Sequence, residues 1–278
     1  MQRAEVTLRR SGAISPAVVA LVDGLLQHLH RPEESPAYIH RIRVDIKRLR
    51  AWLCLVRGAA DFDWRALDRR LRDCAGRLSP SRDAHVVLDT LKRLESRADG
   101  KEKDTLVLLR SRLHFTPAAG IDWQALKPEL AAALAALRDP AVALDTEKIL
   151  RRGLQRCYKR AMREGRRALS DRGGIAELHE LRKWVKYLYY QLQFVNKARP
   201  GSYVKTRKRL DKLGDRLGRI HDLDLLHRRL AQLPPGEDWA PVERLLARRL
   251  RKQLKSSRRL YMQAFHKRPS KFLHPLAG

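Results

Sequence analysis

Apolar residues recur at spacings of three and four along almost the whole chain, and no stretch of alternating apolar and polar residues persists. This period matches the 3.6 residues per turn of an α-helix and not the two-residue repeat of a strand. The sequence therefore predicts an all-α fold. The expected helices lie near 16–30, 36–57, 64–97 (interrupted), 101–115, 123–138, 146–170, 175–198, 203–231 and 239–267. We expect a break at Asp139 and Pro140, and frayed segments at both termini.

Several helix starts are marked by capping residues. Ser35 precedes Pro36, and Asp63, Asp122 and Asp238 each precede a tryptophan. A hydroxyl or carboxylate oxygen at this position accepts a hydrogen bond from an amide of the first helical turn, and proline fits the first turn because it lacks that amide. We expect a helix to begin after each of these caps.

Two segments of the chain share one residue pattern. The segment 38–56 (YIHRIRVDIKRLRAWLCLV) aligns without gaps with 177–195 (ELHELRKWVKYLYYQLQFV) at an offset of 139 residues. The same offset pairs His40 with His179, Arg43 with Arg182, Lys47 with Lys186, Arg70 with Arg209, Arg77 with Arg216 and Asp83 with Asp222. An offset shared by two helices and their connection indicates an internal duplication. The sequence predicts one domain over 1–278, with halves near 1–140 and 141–278.

The charge of the chain indicates a polyanionic partner. There are 60 Lys and Arg residues against 31 Asp and Glu residues, a formal net charge of +29. Because like charges oppose compaction, an excess of this size favours binding of nucleic acid, an anionic membrane surface or a phosphate polymer. No segment is apolar enough to span a bilayer, and no secretory signal is recognisable, so we expect a cytoplasmic protein. Three cysteines without a C-x-x-C pair fit a reducing compartment.

Around each duplicated helix, ionisable residues form a stripe beside the apolar stripe. The first stripe contains His40, Arg43, Lys47 and Arg50, and the second contains His179, Arg182, Lys183 and Lys186. Cations on one face repel each other, and the nearest acids, Asp45 and Glu180, are expected on other faces. An anionic ligand would remove this repulsion and would favour protonated histidines. The alternative interpretation is a basic face that is only solvated.

The helix expected at 146–170 carries a further basic stripe. Its members are Arg152, Arg156, Lys159 and Arg163. Arginine suits phosphate because its planar guanidinium group bonds two oxygens at once, and lysine adds a compact charge. Together the stripes are expected to contribute to one basic surface.

The run H-x-x-R-x-x-x-K at 40–47 and its repeat at 178–186 (LHELRKWVK) resemble the CHAD family, the conserved-histidine α-helical domain. The stretch LGRIHDLD at 217–224 supports the resemblance, which covers nearly the whole chain. It implies two four-helix-bundle halves related by a pseudo-twofold axis, with the histidine helices facing a central basic groove or pore. It also implies binding of inorganic polyphosphate and association with polyphosphate granules.

Carried over by position, the resemblance predicts the residues that line the polyphosphate site. They are His40, Arg43, Lys47, Arg50, His179, Arg182, Lys183 and Lys186, with Arg70, Arg77, Arg209 and Arg216 from the following helices. We add the stripe of Arg152, Arg156, Lys159 and Arg163 to this set. Two departures affect the pattern: Tyr189 replaces the counterpart of Arg50, and SPS at 79–81 replaces the GRI of 218–220. Phosphate or sulfate ions are expected as further occupants, and no membrane partner is expected.

Two other functions fit parts of the sequence. Nucleic acid is the alternative polyanion, with Trp184, Tyr187, Tyr189 and Tyr190 as stacking groups near the second stripe. The His221-Asp222 dipeptide invites a metal phosphohydrolase interpretation, but the first copy has Arg82-Asp83 in its place. No further carboxylate or upstream histidine stands at metal-ligand spacing in the sequence. We therefore expect a binding protein without catalytic residues, cofactor or metal.

Overall fold

The computed structural model describes residues 14–30, 35–58, 63–113, 121–143, 146–234 and 238–276. Within these ranges the chain forms α-helices and one short 3₁₀ turn, and they contain no strand. The helices are α1 Ser15–His30, α2 Pro36–Val56, α3 Trp64–Arg77, α4 Ser79–Glu95, α5 Gly100–Arg112, α6 Trp123–Ala143, α7 Glu147–Ala168, α8 Ile175–Ala198, α9 Val204–Leu230, α10 Ala240–Ala264 and α11 Pro269–Phe272, and the 3₁₀ turn is His274–Leu276. The predicted all-α class is confirmed.

Capping follows the sequence closely. Ser35 accepts a hydrogen bond from the Tyr38 amide at the start of α2, and Asp63 accepts bonds from the first-turn amides of α3. Asp122 does the same for α6, and Asp238 for α10. These bonds satisfy amides that have no partner inside the helix.

The helices pack as two neighbouring groups. Helices α1, α2, α3 and α6 pack against one another, and α7, α8, α9 and α10 do the same along the chain. A continuous apolar core joins the groups and runs from Ile14 to Leu276. Helix α2 lies directly against α8, where the Gln191 side chain donates a hydrogen bond to the Ala51 carbonyl at 2.8 Å. The duplication, the pseudo-twofold relation and the single-domain boundary stay predictions.

Helix α9 reaches a second apolar cluster. Its first half contributes Leu210 and Leu217 to the main core, and its second half contributes Leu226 to a cluster with α4, α5 and the first half of α10. At 1.5 Å per residue, the 27 residues of α9 span about 40 Å, enough to cross both clusters. The interruption predicted within 64–97 falls at Leu78, between α3 and α4.

The predicted break at Asp139 and Pro140 is wrong. Helix α6 continues to Ala143 and contains Pro128 and Pro140 within its length. An interior proline removes a hydrogen bond and clashes with the preceding turn. The apolar face of α6 is fully buried around Leu137, and this packing outweighs the local cost.

The expected fraying of the C-terminal segment is also wrong. Phe272, Leu273 and Leu276 are buried, and the Phe272 ring stacks on Tyr158 with centroids 3.9 Å apart. The Tyr158 hydroxyl donates a hydrogen bond to the Lys267 carbonyl at 2.8 Å. Helical periodicity did not reveal this segment because α11 is only four residues long. The N-terminal segment 1–13 and the helix end predicted near 115 lie outside the described residues.

None of the helices that the structure describes combines the length and the apolar character that crossing a lipid bilayer requires.

Candidate functional site

A basic cleft lies between α2, α8 and α9. Its volume is about 490 Å³. The described residues that line it are His40, Val44, Lys47, Arg50, His179, Arg182, Lys183, Lys186, Tyr187, Tyr190, Gly214, Asp215, Gly218, Arg219 and Asp222. Among these, six are Lys or Arg and two are Asp, so the lining has a net charge of +4 before any histidine is protonated.

The cleft collects most of the two predicted stripes. Helix α2 provides His40, Lys47 and Arg50, and helix α8 provides the four residues His179, Arg182, Lys183 and Lys186. The stripes meet because each lies beside the apolar stripe that its helix buries, and α2 and α8 pack against each other. Seven of the eight predicted residues of these helices thus line one cavity.

Of the eight residues in the two stripes, Arg43 is outside the described lining of the cleft. Its Nη1 donates hydrogen bonds to the Ala75 carbonyl at 2.5 Å and to the Ser79 hydroxyl at 2.6 Å. Arg43 therefore ties α2 to the junction of α3 and α4. It is absent from the described lining of the cleft.

Acids from neighbouring helices partly neutralise the cleft. Arg50 forms a two-bond ion pair with Asp68 of α3, with Nε–Oδ1 at 2.8 Å and Nη2–Oδ2 at 3.2 Å. Burial is the largest single effect and acts to lower the pKa of Arg50, but the hydrogen bonds that Arg50 donates to Asp68 and the surrounding negative charges together raise that pKa above its usual value. Arg50 thus remains charged and is held in place by its partner.

The lysines of α8 also have acidic neighbours. Lys183 Nζ lies 2.7 Å from Glu180, so this acid relieves part of the repulsion that the sequence left unrelieved. Residues three positions apart are neighbours on a helix surface, and a long lysine side chain reaches such a partner even at the edge of the stripe. Lys186 Nζ lies 3.7 Å from Asp211 and 3.9 Å from Asp215, both on α9. These longer separations leave Lys186 near its acids without a direct hydrogen bond.

Gly214 permits the close approach of Lys186 to α9. A Cβ atom at this position would lie 2.8 Å from Lys186 Cε, inside van der Waals contact. The absence of a side chain therefore lets the lysine stem cross α9 at the floor of the cleft.

A second basic cleft of about 460 Å³ lies between α9 and α10. Two predicted residues, Arg209 and Arg216, line this cleft. Arg209 donates a hydrogen bond to the Gln263 carbonyl at 3.0 Å, and Arg216 donates one to the Gln253 side chain at 3.3 Å. Its described lining is Lys208, Arg209, Lys212, Asp215, Arg216, Arg219, Ser256, Arg259, Leu260 and Gln263. Asp215 and Arg219 border both clefts, so the two are adjacent across α9.

The remaining predicted residues lie outside both clefts. Arg70 is exposed on α3, and Arg77 pairs with Glu129 of α6 at 2.8 Å. On α7, all four predicted residues are exposed: Arg152, Arg156, Lys159 and Arg163. Arg156 donates hydrogen bonds to the carbonyls of Leu55 and Arg57 at the end of α2. The structure therefore does not bring the α7 stripe to the cleft between α2, α8 and α9.

The protein surroundings of His179 oppose the protonation that is expected beside a phosphate ligand. Burial lowers its pKa, Asp224 acts in the opposite direction, and the nearby arginines Arg228 and Arg182 lower it further. Below neutral pH the ring is therefore harder to protonate than an exposed histidine. Its Nε2 lies 3.1 Å from His221 Nδ1 and 3.5 Å from Asp224 Oδ2.

Arg219 was not predicted from the sequence, and His221 was considered there only for a metal phosphohydrolase. Arg219 aligns with Pro80 and His221 with Arg82, whose side chain lies outside the described part of the chain, so the repeat gave neither residue any support. The signal for Arg219 was its place three residues after Arg216, on the same basic side of α9.

The fold and the cleft define an all-α protein with a cation-lined cavity between packed helices. Residues 17–231 match the model of the CHAD domain, so the chain belongs to the CHAD family. The structure resembles the crystal structure of the CHAD domain from the plant Ricinus communis, with a TM-score of 0.56. The match covers 91% of this chain and 93% of that chain at 21% identity, which shows a shared fold. A comparison with curated proteins finds no match.

Proposed function

We propose that the protein binds inorganic polyphosphate in the cleft between α2, α8 and α9. The observation that carries the proposal is that cations from three helices line one cavity: α2, α8 and α9 each contribute Lys or Arg. A polyphosphate chain presents one negative charge at each internal phosphate, so it can contact several of these cations at once. Arginine donates two parallel hydrogen bonds to phosphate oxygens, and lysine adds charge.

In this proposal the cleft is the central groove of a duplicated molecule. Helices α2 and α8 correspond to each other in the sequence repeat and pack side by side. A pseudo-twofold relation would place their cations on opposite sides of a thin, flexible anion. The adjacent cleft between α9 and α10 would extend the path, because Arg219 borders both cavities.

Polyphosphate fits the cleft better than a nucleic acid that stacks its bases. Tyr187 and Tyr190 line the cavity, but they expose only 9% and 8% of their surfaces. A buried ring offers no face on which a base can stack. Groups that remain accessible in the cleft are mainly charged, which suits a ligand made of phosphates.

We propose binding without catalysis. General acid–base catalysis needs a positioned acid or base with a matched pKa beside the reacting atom, and the cationic lining accounts for capture without such a step. Incubation of long-chain polyphosphate with the protein and Mg²⁺ or Mn²⁺ is expected to release no phosphate. Steady release that is lost on substitution of Asp222 would replace the binding proposal with an enzymatic one. A protein of this function is expected in the cytoplasm, at polyphosphate granules.

Charge reversal in the cleft tests the proposal. The variant combines Lys47→Glu on α2 with Arg182→Glu on α8, and its binding of long-chain polyphosphate is measured by calorimetry. Each lost charge-assisted contact is expected to weaken binding about tenfold. The matched control combines Arg152→Glu with Lys159→Glu, which changes net charge equally on exposed α7 positions.

The control is expected to keep its affinity within a few-fold. Equal losses in both variants would mean that net charge, and not the cleft, governs binding. Unchanged affinity in the cleft variant, with helicity intact by circular dichroism, would place the site elsewhere. Tighter binding of duplex DNA than of polyphosphate at equal salt would remove the claim of specificity.

A further inference from the structure

Two cysteine sulfurs meet where α2 packs against α7. Cys54 Sγ lies 3.5 Å from Cys157 Sγ, although the two residues are 103 positions apart in the chain. Both side chains are free thiols. Neither cysteine is among the described residues that line the basic cleft, so the pair is separate from the proposed polyphosphate site.

Close packing of the two helices holds the sulfurs together. At Gly153, one turn before Cys157, a Cβ atom would overlap the carbonyl oxygen of Leu55, the residue that follows Cys54. Arg156 donates a hydrogen bond to the same carbonyl at 3.2 Å. The missing side chain at Gly153 lets α7 approach α2, and the Arg156 bond fixes the contact. The backbones of two helices, and not side-chain rotation alone, therefore bring the sulfurs together.

The surroundings of the pair favour a thiolate. Gln191, which is fully buried on α8, donates a hydrogen bond from Nε2 to Cys157 Sγ at 3.2 Å. The hydrogen bonds from Cys54 and Gln191 outweigh burial and lower the pKa of Cys157, and the guanidinium groups of Arg156 and Arg57 act in the same direction. The pKa of Cys54 is raised because its proton is held in the bond to Cys157. The thiolate is the form of cysteine that oxidants attack.

One member of the pair is accessible from solvent. Cys54 is half-buried, whereas Cys157 exposes only 1% of its surface. Oxidation of cysteine requires both thiolate character and access. The two sulfurs together meet these conditions, because a proton that moves along their hydrogen bond transfers the negative charge from one sulfur to the other. Hydrogen peroxide is little larger than water, so it can reach the exposed side of the pair.

We propose that Cys54 and Cys157 form a reversible disulfide when the protein meets hydrogen peroxide. One sulfur attacks a peroxide oxygen as the thiolate, the O–O bond breaks, and that sulfur becomes a sulfenic acid. The second sulfur then attacks the first, so that the S–S bond forms and the S–O bond breaks. The two departing hydroxide ions take up the two thiol protons. One peroxide is thus reduced to two waters while two thiols are oxidised to one disulfide, which small thiols reduce again by exchange.

The disulfide connects the two groups of helices. Helix α2 belongs to the first group and α7 to the second. Arg50, one turn before Cys54, lines the cleft, so the cross-link ties this wall of the cleft to α7. In a reducing compartment a bond of this kind is transient and senses oxidants. The inference goes beyond the proposed function and does not require that polyphosphate binds.

Thiol counting tests the inference. Dilute, reduced full-length protein is treated with a small excess of hydrogen peroxide, and free thiols are counted after unfolding. The chain has three cysteines, so we expect the count to fall from three to one, with a mass lower by two hydrogen atoms, and to return to three with a dithiol reductant. Cys54→Ala and Cys157→Ala are each expected to keep both remaining thiols under these conditions. Cys74→Ala on α3 is the matched control, and its count is expected to fall from two to none.

Three outcomes would overturn the inference. One is the persistence of three free thiols at peroxide concentrations that oxidise free cysteine, and another is a cross-link that involves Cys74 or joins two chains. The third comes from urea unfolding. The cross-linked protein is expected to unfold at a higher urea concentration than the reduced protein, because the bond restricts the unfolded chain. A lower midpoint would mean that the bond forms only by distorting the packing of α2 on α7. Polyphosphate binding is measured on reduced protein, so either proposal can fail while the other stands.

Discussion

At the scale of residues, neighbouring cations on one helix differ in what they contact. Arg43 and Lys47 are one turn apart on α2, and both belong to the predicted basic stripe. Arg43 bonds the junction of α3 and α4, whereas Lys47 lines the cleft. A helical projection gives the angle of a side chain around its axis, but it does not show which neighbouring helix will cover that angle.

This difference yields a prediction for Arg43→Ala. The change removes hydrogen bonds to the Ala75 carbonyl and the Ser79 hydroxyl, so we expect a loss of about 1–3 kcal/mol in the free energy of unfolding. Polyphosphate affinity is expected to change less than about threefold, because the side chain is not in the cleft lining. Lys47→Ala is the comparison: it removes a cation from the cleft lining, so we expect weaker polyphosphate binding. Urea unfolding and calorimetry measure the two effects, and a large affinity loss in folded Arg43→Ala would show that it contacts the ligand.

Residue patterns predicted the cation positions better than their partners. Caps such as Ser35 and Asp63 were correct because capping depends on bonds within a few residues. The pair Arg50–Asp68 and the cluster of His179 with Asp224 were not foreseen, because their members lie on different helices. Such pairs depend on the crossing of helices, which local periodicity does not specify.

At the scale of elements, α6 shows packing overriding local preference. Pro128 and Pro140 both interrupt its backbone hydrogen bonds, yet the helix runs over 21 residues. The buried positions Leu126, Leu130 and Leu134 hold one face against α1 and α3. Local helix propensity favours a break at Pro140, but the tertiary contacts of α6 keep the helix continuous.

Pro128→Ala is expected to stabilise the protein. Pro128 is exposed in the interior of α6, so alanine restores a backbone hydrogen bond and relieves the ring clash without opening a cavity. Proline in a helix interior costs about 3 kcal/mol relative to alanine. The variant loses up to about 1 kcal/mol of this stabilisation, because its unfolded chain has more conformational entropy without proline. We expect a net increase of about 1–2 kcal/mol in the free energy of unfolding, measured in urea. A decrease would mean that α6 is shaped around this proline.

At the scale of the whole molecule, the net charge of +29 is distinct from the charge of the cleft, whose lining includes six of the 60 Lys and Arg residues. Cations are spread over many helices, including exposed positions of α7 that line neither cleft. The resemblance to the CHAD family predicted that the two histidine helices face one basic groove, and in the structure seven of the eight residues of their stripes line one cavity. The sequence did not separate cleft cations from surface cations, because both have the same spacing along their helices.

The salt dependence of binding distinguishes the cleft from the general surface. Six Lys or Arg and two Asp line the cavity, and six minus two leaves a net charge of +4. By analogy with single-stranded nucleic acid, each neutralised phosphate contributes about −0.7 to the slope of log K against log salt concentration, so four give about −3. We expect this slope from calorimetry between low and physiological salt.

The two charge-reversal variants sharpen that measurement. Lys47→Glu with Arg182→Glu is expected to flatten the slope because it removes cations that contact the chain. Arg152→Glu with Lys159→Glu is expected to leave it unchanged, although both variants lower the net charge by the same amount. A slope steeper than about −6 in the original protein would require more phosphate contacts than the cleft provides. In that case the ligand must also follow the exposed basic face of α7, and the binding path is longer than the cavity between α2, α8 and α9.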